Sequence, residues 1–103
     1  MFFTYMITSQ HNGTLYIGHT DDLGRRIFEH KHKIFKGFAT KHGVDKLVWF
    51  EEFETRDAAF RRERQLKTWK RQWKIRLIEI ENPDWVDIYE LNVLPVNRDW
   101  GSV

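Results

Sequence analysis

FFTYMITSQHNGTLYIGHT, residues 2–20, decides the fold. Its two ends, Phe2–Thr8 and Thr14–Gly18, are rich in aromatic and β-branched residues, which suit a pleated, half-buried surface. Between them stands Asn12-Gly13, a pair that tolerates positive φ and marks hairpins. The reading is an antiparallel β-hairpin. Tyr5 and Tyr16 have ten residues between them. Strand side chains alternate between faces, so a connecting loop of even length puts both phenols on one face and an odd loop puts them on opposite faces. A two-residue turn at Asn12-Gly13 meets the even case, and so does a longer even loop.

Outward from the hairpin, Thr20 can cap a helix, with Asp21 and Asp22 in a first turn that favours negative charge. An amphipathic run follows from Leu23 to about Lys31. Residues 32–43 have no clear period and read as a loop, and KLVWFEEF, residues 46–53, reads as a third strand. Thr55 offers an N-cap for a helix from about Arg56, with Ala59, Phe60, Leu66 and Trp69 at helical spacing. A second segment, Arg71 to Glu81, carries Trp73, Leu77 and Ile80 on one stripe, and Asn82-Pro83 ends it. One bent helix or two both fit. The order is ββαβαα, and a three-stranded sheet needs helical cover, so the class is α+β. The domain is expected to span residues 1–92, with 93–103 as a C-terminal tail.

The length of 103 residues matches one domain with one modest core. Hydrophobic residues at 41% and charged residues at 31% fit a globular chain rather than a disordered one. The absence of cysteine excludes thiol nucleophiles and zinc fingers, and it favours a reducing, cytoplasmic setting. No signal peptide or membrane anchor is legible at the N-terminus. Trp69, Trp73 and Trp85 sit at core-like spacing and read as packing. The net charge of +2 hides an asymmetry: residues 61–76 hold eight Lys or Arg and one acid, Glu63, whereas Leu77–Val103 holds six acids and only Arg98. A basic segment of this kind suits an anionic partner, although a solvated helix face is the plainer reading.

Several residues carry potential chemistry. Arg26 and His30, spaced i, i+4, share a helix face. The Arg fork suits a phosphate, and His can donate to one or move a proton near neutral pH. Glu63 is a single acid among Arg61, Arg62, Arg64 and Lys67, whose charge favours its carboxylate form. Its plain role is an i, i+4 ion pair with Lys67. Its functional role is to bind a hard divalent cation, since Mg²⁺ commonly takes only one or two protein carboxylates.

Tyr5, ten residues, Tyr16-Ile17-Gly18, then Asp22-Leu23-x-x-Arg26-x-x-x-His30, and later Glu63, together resemble the GIY-YIG nuclease superfamily. That group includes homing endonucleases, some restriction enzymes and the incising subunit of bacterial nucleotide-excision repair. The likeness is greatest to small stand-alone bacterial proteins of this type. Phe38-x-x-Lys41, Leu47-Val48-x-Phe50-Glu51, Arg62-Glu63-x-Gln65-Leu66-Lys67 and Asn82-Pro83-x-Trp85 extend the likeness to roughly residues 1–92. The first motif departs from the pattern: Phe3 and Thr4 replace its glycine and isoleucine, leaving Tyr5.

The resemblance implies metal-dependent hydrolysis of DNA phosphodiesters. Tyr5, Tyr16, Arg26, His30 and Glu63 would be catalytic, and Glu63 would bind Mg²⁺ or Mn²⁺ as Lewis acid. Arg26 would stabilise phosphoryl charge. Tyr5, with Tyr16 beside it, would activate water. A phenol with a pKa near 10 needs Arg26, His30 and the metal to lower it for that task. His19, Lys36, Lys41, Arg62, Lys67, Lys70, Arg71 and Asn82 are candidates for holding substrate, with salt-sensitive binding as the consequence. DNA repair is among the roles compatible with such a domain, beside recombination and defence against foreign DNA. The alternatives are a non-cleaving nucleic-acid-binding module of the same fold, or a protein-interaction domain using Trp85, Tyr89 and Trp100. Retention of all five central residues favours the nuclease.

Overall fold

The hairpin forms, with a longer loop than Asn-Gly alone would make. In the computed structural model, which describes residues 1–34, 37–91 and 93–95, strand β1 (Phe2–Thr8) pairs antiparallel with β2 (Leu15–Thr20). The last pair is Thr8↔Leu15, so the loop is residues 9–14, an even number. Gln10 O accepts from Gly13 N at 2.9 Å, and Asn12 between them takes φ of 56°, in the left-handed region that Asn tolerates. The third strand, β3 (Lys46–Phe53), pairs with the other side of β1, giving the order β2-β1-β3.

The ladder reaches Thr20, which pairs with Phe3, so the chain turns only afterwards. The N-cap of helix α1 (Leu23–Lys31) is therefore Asp22, not Thr20: Asp22 Oδ1 accepts from Arg25 N at 3.2 Å. Thr20 Oγ1 instead accepts from Asp22 N and sets the turn. Part of the stretch expected as loop is a short helix, α2 (Phe38–Lys41), entered through Gly37 at φ 137°. Two helices follow β3: α3 (Arg56–Thr68), capped by Thr55, and α4 (Arg71–Glu81). They are separate because Trp69 and Lys70 are both extended, with ψ of 149° and 148°.

Helices cover both faces of the sheet. Phe3, Tyr5, Ile7 and Leu47 pack with Leu23 and Ile27 of α1 and Ala39 of α2 on one face. Met6, Ile17, Val48 and Trp49 pack with Leu66 of α3 and Ile78 of α4 on the other. A bulge opposite Met6/Ile7 lets Val48 and Trp49 serve the same core in succession, which is why LVWF in β3 is apolar without alternation. The first-motif departures fit this packing. Phe3 meets Phe50 edge to face at 6.3 Å, and the buried Thr4 hydroxyl donates to Ala59 O of α3 at 2.7 Å.

Beyond α4, Trp85 is buried at 5% exposure and its Nε1 donates to Glu79, so it is packing as expected and no contact surface. Tyr89 is half-buried against the α1-side core, where a 3₁₀ turn, Ile88–Leu91, and Leu94 also lie. Trp73 contradicts the expectation of packing, and Ile80 shares its stripe. They are 44% and 72% exposed, because α4 meets the sheet through Ile78, on the opposite side of the helix. No helix among the described residues is long and apolar enough to cross a membrane.

Candidate active site

The even loop puts Tyr5 and Tyr16 on one face. Tyr5 pairs with Gly18 and Tyr16 with Ile7, two residues along β1 from Tyr5, so both phenols point toward α1. Gly18 is what makes room: a Cβ there would lie 2.6 Å from the Tyr5 hydroxyl, so the phenol ring lies across the glycine on the edge strand. His30 reaches the same spot from the last turn of α1. Its Nε2 is 3.1 Å from the Tyr5 hydroxyl, and its ring lies 6.0 Å from Tyr5 and 5.7 Å from Tyr16, centroid to centroid. Arg26, one turn earlier, hydrogen-bonds the Tyr5 phenol and lies 3.4 Å from Glu29. Tyr16, Arg26 and His30 line a cleft of about 220 Å³, closed on its far side by residues 37–40 of the α2 segment.

Burial, first, and then Tyr16 push the Tyr5 phenol well above its ordinary value; Arg26 works against them, and the charge of Glu63 adds to the rise. The lowering expected of Arg26 and His30 is thus overridden by desolvation, and Tyr5 keeps its proton at neutral pH. His30 is shifted down, by burial and then by Arg26, and is therefore a neutral imidazole at neutral pH. Phenol and imidazole are coupled through one hydrogen bond.

Gly18's neighbour His19 points to the other face of the sheet, as strand alternation requires. There His19 Nδ1 lies 2.6 Å from Glu63 Oε1, and Lys67 Nζ lies 2.7 Å from Glu63 Oε2. Burial alone would raise the Glu63 carboxyl, but the hydrogen bonds from Lys67 and His19 outweigh it and hold the pKa below the ordinary value. An ionised carboxylate only accepts, so His19 Nδ1 is the donor and its tautomer is fixed. The ring of Phe60 flanks His19 at 5.3 Å. The five central residues thus meet around edge strand β2, with Tyr5, Tyr16, Arg26 and His30 on the α1 side and Glu63 on the α3 side.

The donor set bears on a metal. Among the described residues no three His, Asp or Glu side chains converge. Glu63 alone offers a carboxylate, and the cation already at Oε2 is the half-exposed, mobile-stemmed Lys67. That arrangement fits a largely hydrated hard ion taking the place of the Lys67 ammonium, and it does not fit a closed structural site.

The other candidates for holding substrate divide. Lys41 on α2 and Lys70 before α4 are exposed, Lys70 lying over the Trp73 ring. Arg62 is instead engaged by Glu51 at 2.9 Å and Gln65 at 2.6 Å. Arg71 donates to the carbonyls of Asn12 and Gly13 at 2.8 and 2.7 Å and so ties α4 to the hairpin loop. Asn82 is buried at the end of α4. Its Nδ2 donates to Val48 O and Val86 O, and its Oδ1 accepts from Val86 N, so the amide is spent on structure. Lys36 and Trp100 lie outside the described residues.

With this geometry in hand, residues 1–76 match the GIY-YIG catalytic domain, and the chain belongs to that family. Its relatives are UPF0213 proteins, a family of stand-alone GIY-YIG domains. One from Staphylococcus saprophyticus is 34% identical over 67 residues, 65% of this chain and 82% of that protein. One from Staphylococcus aureus is 32% identical over 77 residues, 75% of this chain and 93% of that protein. The solution NMR structure of a UPF0213 protein from Bacillus halodurans aligns with a TM-score of 0.52 at 24% identity, covering 91% of this chain and 100% of that one, a likeness of fold. GIY-YIG membership places the chain in a nuclease family with nucleic acid as the class of substrate and a general need for a divalent metal.

Proposed function

We propose that this protein is a metal-dependent endonuclease that hydrolyses phosphodiester bonds in DNA. The observation that carries the reading is the buried Tyr5–His30 hydrogen bond, which backs a cleft lined by Tyr16, Arg26 and His30, with the ionised Glu63 across the same edge strand. A binding module needs no neutral imidazole coupled to a buried phenol.

In this mechanism Arg26 takes a non-bridging phosphoryl oxygen and stabilises the charge that builds there. Tyr5 orients the attacking water. Because its proton is held tightly, it acts as a relay: the water proton passes to the phenol oxygen as the phenol proton passes to His30 Nε2. His30 is neutral at neutral pH and able to accept it. Tyr16 walls the cleft beside His30. Glu63, oriented by His19, would hold Mg²⁺ or Mn²⁺, and the ion would supply Lewis-acid stabilisation of the phosphate and leaving oxygen. Lys41 and Lys67 hold the DNA backbone, with affinity falling as salt rises. A cytoplasmic setting and a role in DNA repair are part of this reading.

The test is nicking of supercoiled plasmid with Mg²⁺, with Mn²⁺ and with chelator, beside Glu63→Ala. Metal-dependent nicking by the wild type alone supports the reading. Salt-sensitive DNA binding without nicking, or equal nicking by the variant, replaces it with the non-cleaving module.

A further inference from the structure

Helix α4 presents an apolar stripe that the fold covers only in part, at Trp69 and Leu77. Trp73, Leu77 and Ile80 recur on one side, with Trp69 continuing it at 6.2 Å from Trp73. Trp73 and Ile80 are exposed and Leu77 is half-buried. Trp69, Trp73, Arg76, Leu77 and Ile80 line a groove of about 410 Å³. It lies on the face of the sheet opposite the cleft.

The charges beside the stripe identify what covers it. With 3.6 residues per turn, Lys74 and Glu81 border the stripe on one side and Arg76 on the other, with Glu79, which also accepts from Trp85 Nε1, behind Arg76. On each side the base is N-terminal and the acid C-terminal. Lys74/Glu81 and Arg76/Glu79 also share one midpoint, between Leu77 and Ile78. A two-fold axis at that level, perpendicular to the helix and running between two copies, brings both Lys74–Glu81 pairs into register at the contact, with the Arg76–Glu79 pairs behind them. Trp73 of each copy then lies near Ile80 of the other.

We propose that α4 is a self-association face, on which two copies of the chain pack α4 against α4, antiparallel. A two-fold interface must be complementary to itself, and this stripe is. Such a dimer leaves both clefts open, because each lies beyond its own sheet. A polyanion would meet Glu79 and Glu81 on the same surface, which disfavours nucleic acid as the occupant. The contact is one short helix stripe, so association is weak and concentration-dependent.

Sedimentation velocity from about 10 µM to about 1 mM, a range suited to a small interface, tests this. The wild type is expected to shift from monomer to dimer across the series. Ile80→Asp is expected to remain monomeric with an unchanged melting temperature, since Ile80 contributes little to the core. Lys74→Glu and Glu81→Lys should each weaken the dimer by about three- to tenfold, and the double variant carrying both should restore it. A wild type that stays monomeric throughout, a dimer indifferent to Ile80→Asp, or a double variant no better than either single one overturns the proposal. So does a chain that is monomeric and loses single-stranded oligonucleotide binding with Ile80→Asp, which would make the stripe a nucleic-acid surface. None of the sedimentation outcomes bears on plasmid nicking, so the two proposals fail separately.

Discussion

The two sides of edge strand β2 solve the same problem by opposite means. Toward α1, Tyr5 and His30 are buried and aromatic, and loss of solvent is the largest cause favouring the uncharged form of each. Toward α3, Glu63 is paired with Lys67 and hydrogen-bonded by His19, and those bonds outweigh its desolvation. One side is suited to moving a proton, the other to attracting a cation. The difference begins with the groups themselves, a phenol titrating at about 10 and a carboxyl at about 4, and the surroundings widen it: burial pushes the phenol up while two donors hold the carboxyl down.

The sharpest way to break that division is at Arg26, the residue proposed to take the phosphate. Arg26→Ala should lower the rate of nicking by about 10²- to 10³-fold, as for loss of a positioned charge donor, with little change in metal affinity. Tyr5→Phe removes the relay and should cost about 10²-fold or more in rate. If it merely weakens DNA binding, Tyr5 is a packing residue. A structural test comes next. Gly18→Ala forces a Cβ against the Tyr5 ring, so it should destabilise the fold by about 1–3 kcal/mol in urea titration and displace the phenol.

The smallest effect concerns pH. The folded pKa of His30 lies below its unfolded value near 6.5, so the unfolded chain takes up the proton first. His30 therefore leaves stability unchanged above about pH 6.5 and subtracts from it as pH falls below that value. Thermal melts of His30→Asn should lack this part of the acid slope. Glu63 adds a separate loss at lower pH, since its folded pKa lies below that of an ordinary carboxyl and its contribution disappears as it protonates.

The α1 side was the legible side. Hairpin parity and the i, i+4 spacing of Arg26 and His30 are local facts, and both survive folding because a strand and a helix have fixed periods. Strand alternation alone could also have separated His19 from Tyr16 and Gly18 and aimed it at the other face. Its meeting with Glu63, 44 residues on, depends on how α3 packs and has no local signal. The same holds for Arg71 on the hairpin carbonyls and Asn82 on β3, whose roles are set by tertiary contacts. The bulge at Val48 was hidden because a run of four apolar residues reads the same with or without it. Trp73 misled for a simpler reason: helical spacing shows that residues share a face, not that anything covers it.

The division of labour across β2 is tested most directly by Mn²⁺ titration followed by electron paramagnetic resonance. Wild type, Tyr5→Phe and Glu63→Gln would be compared at one pH and salt. The expected result is that Tyr5→Phe binds Mn²⁺ as the wild type does although it no longer cuts, while Glu63→Gln binds at least tenfold more weakly, in line with loss of a ligand. Equal Mn²⁺ binding by Glu63→Gln and the wild type would contradict the assignment of Glu63 as the metal ligand.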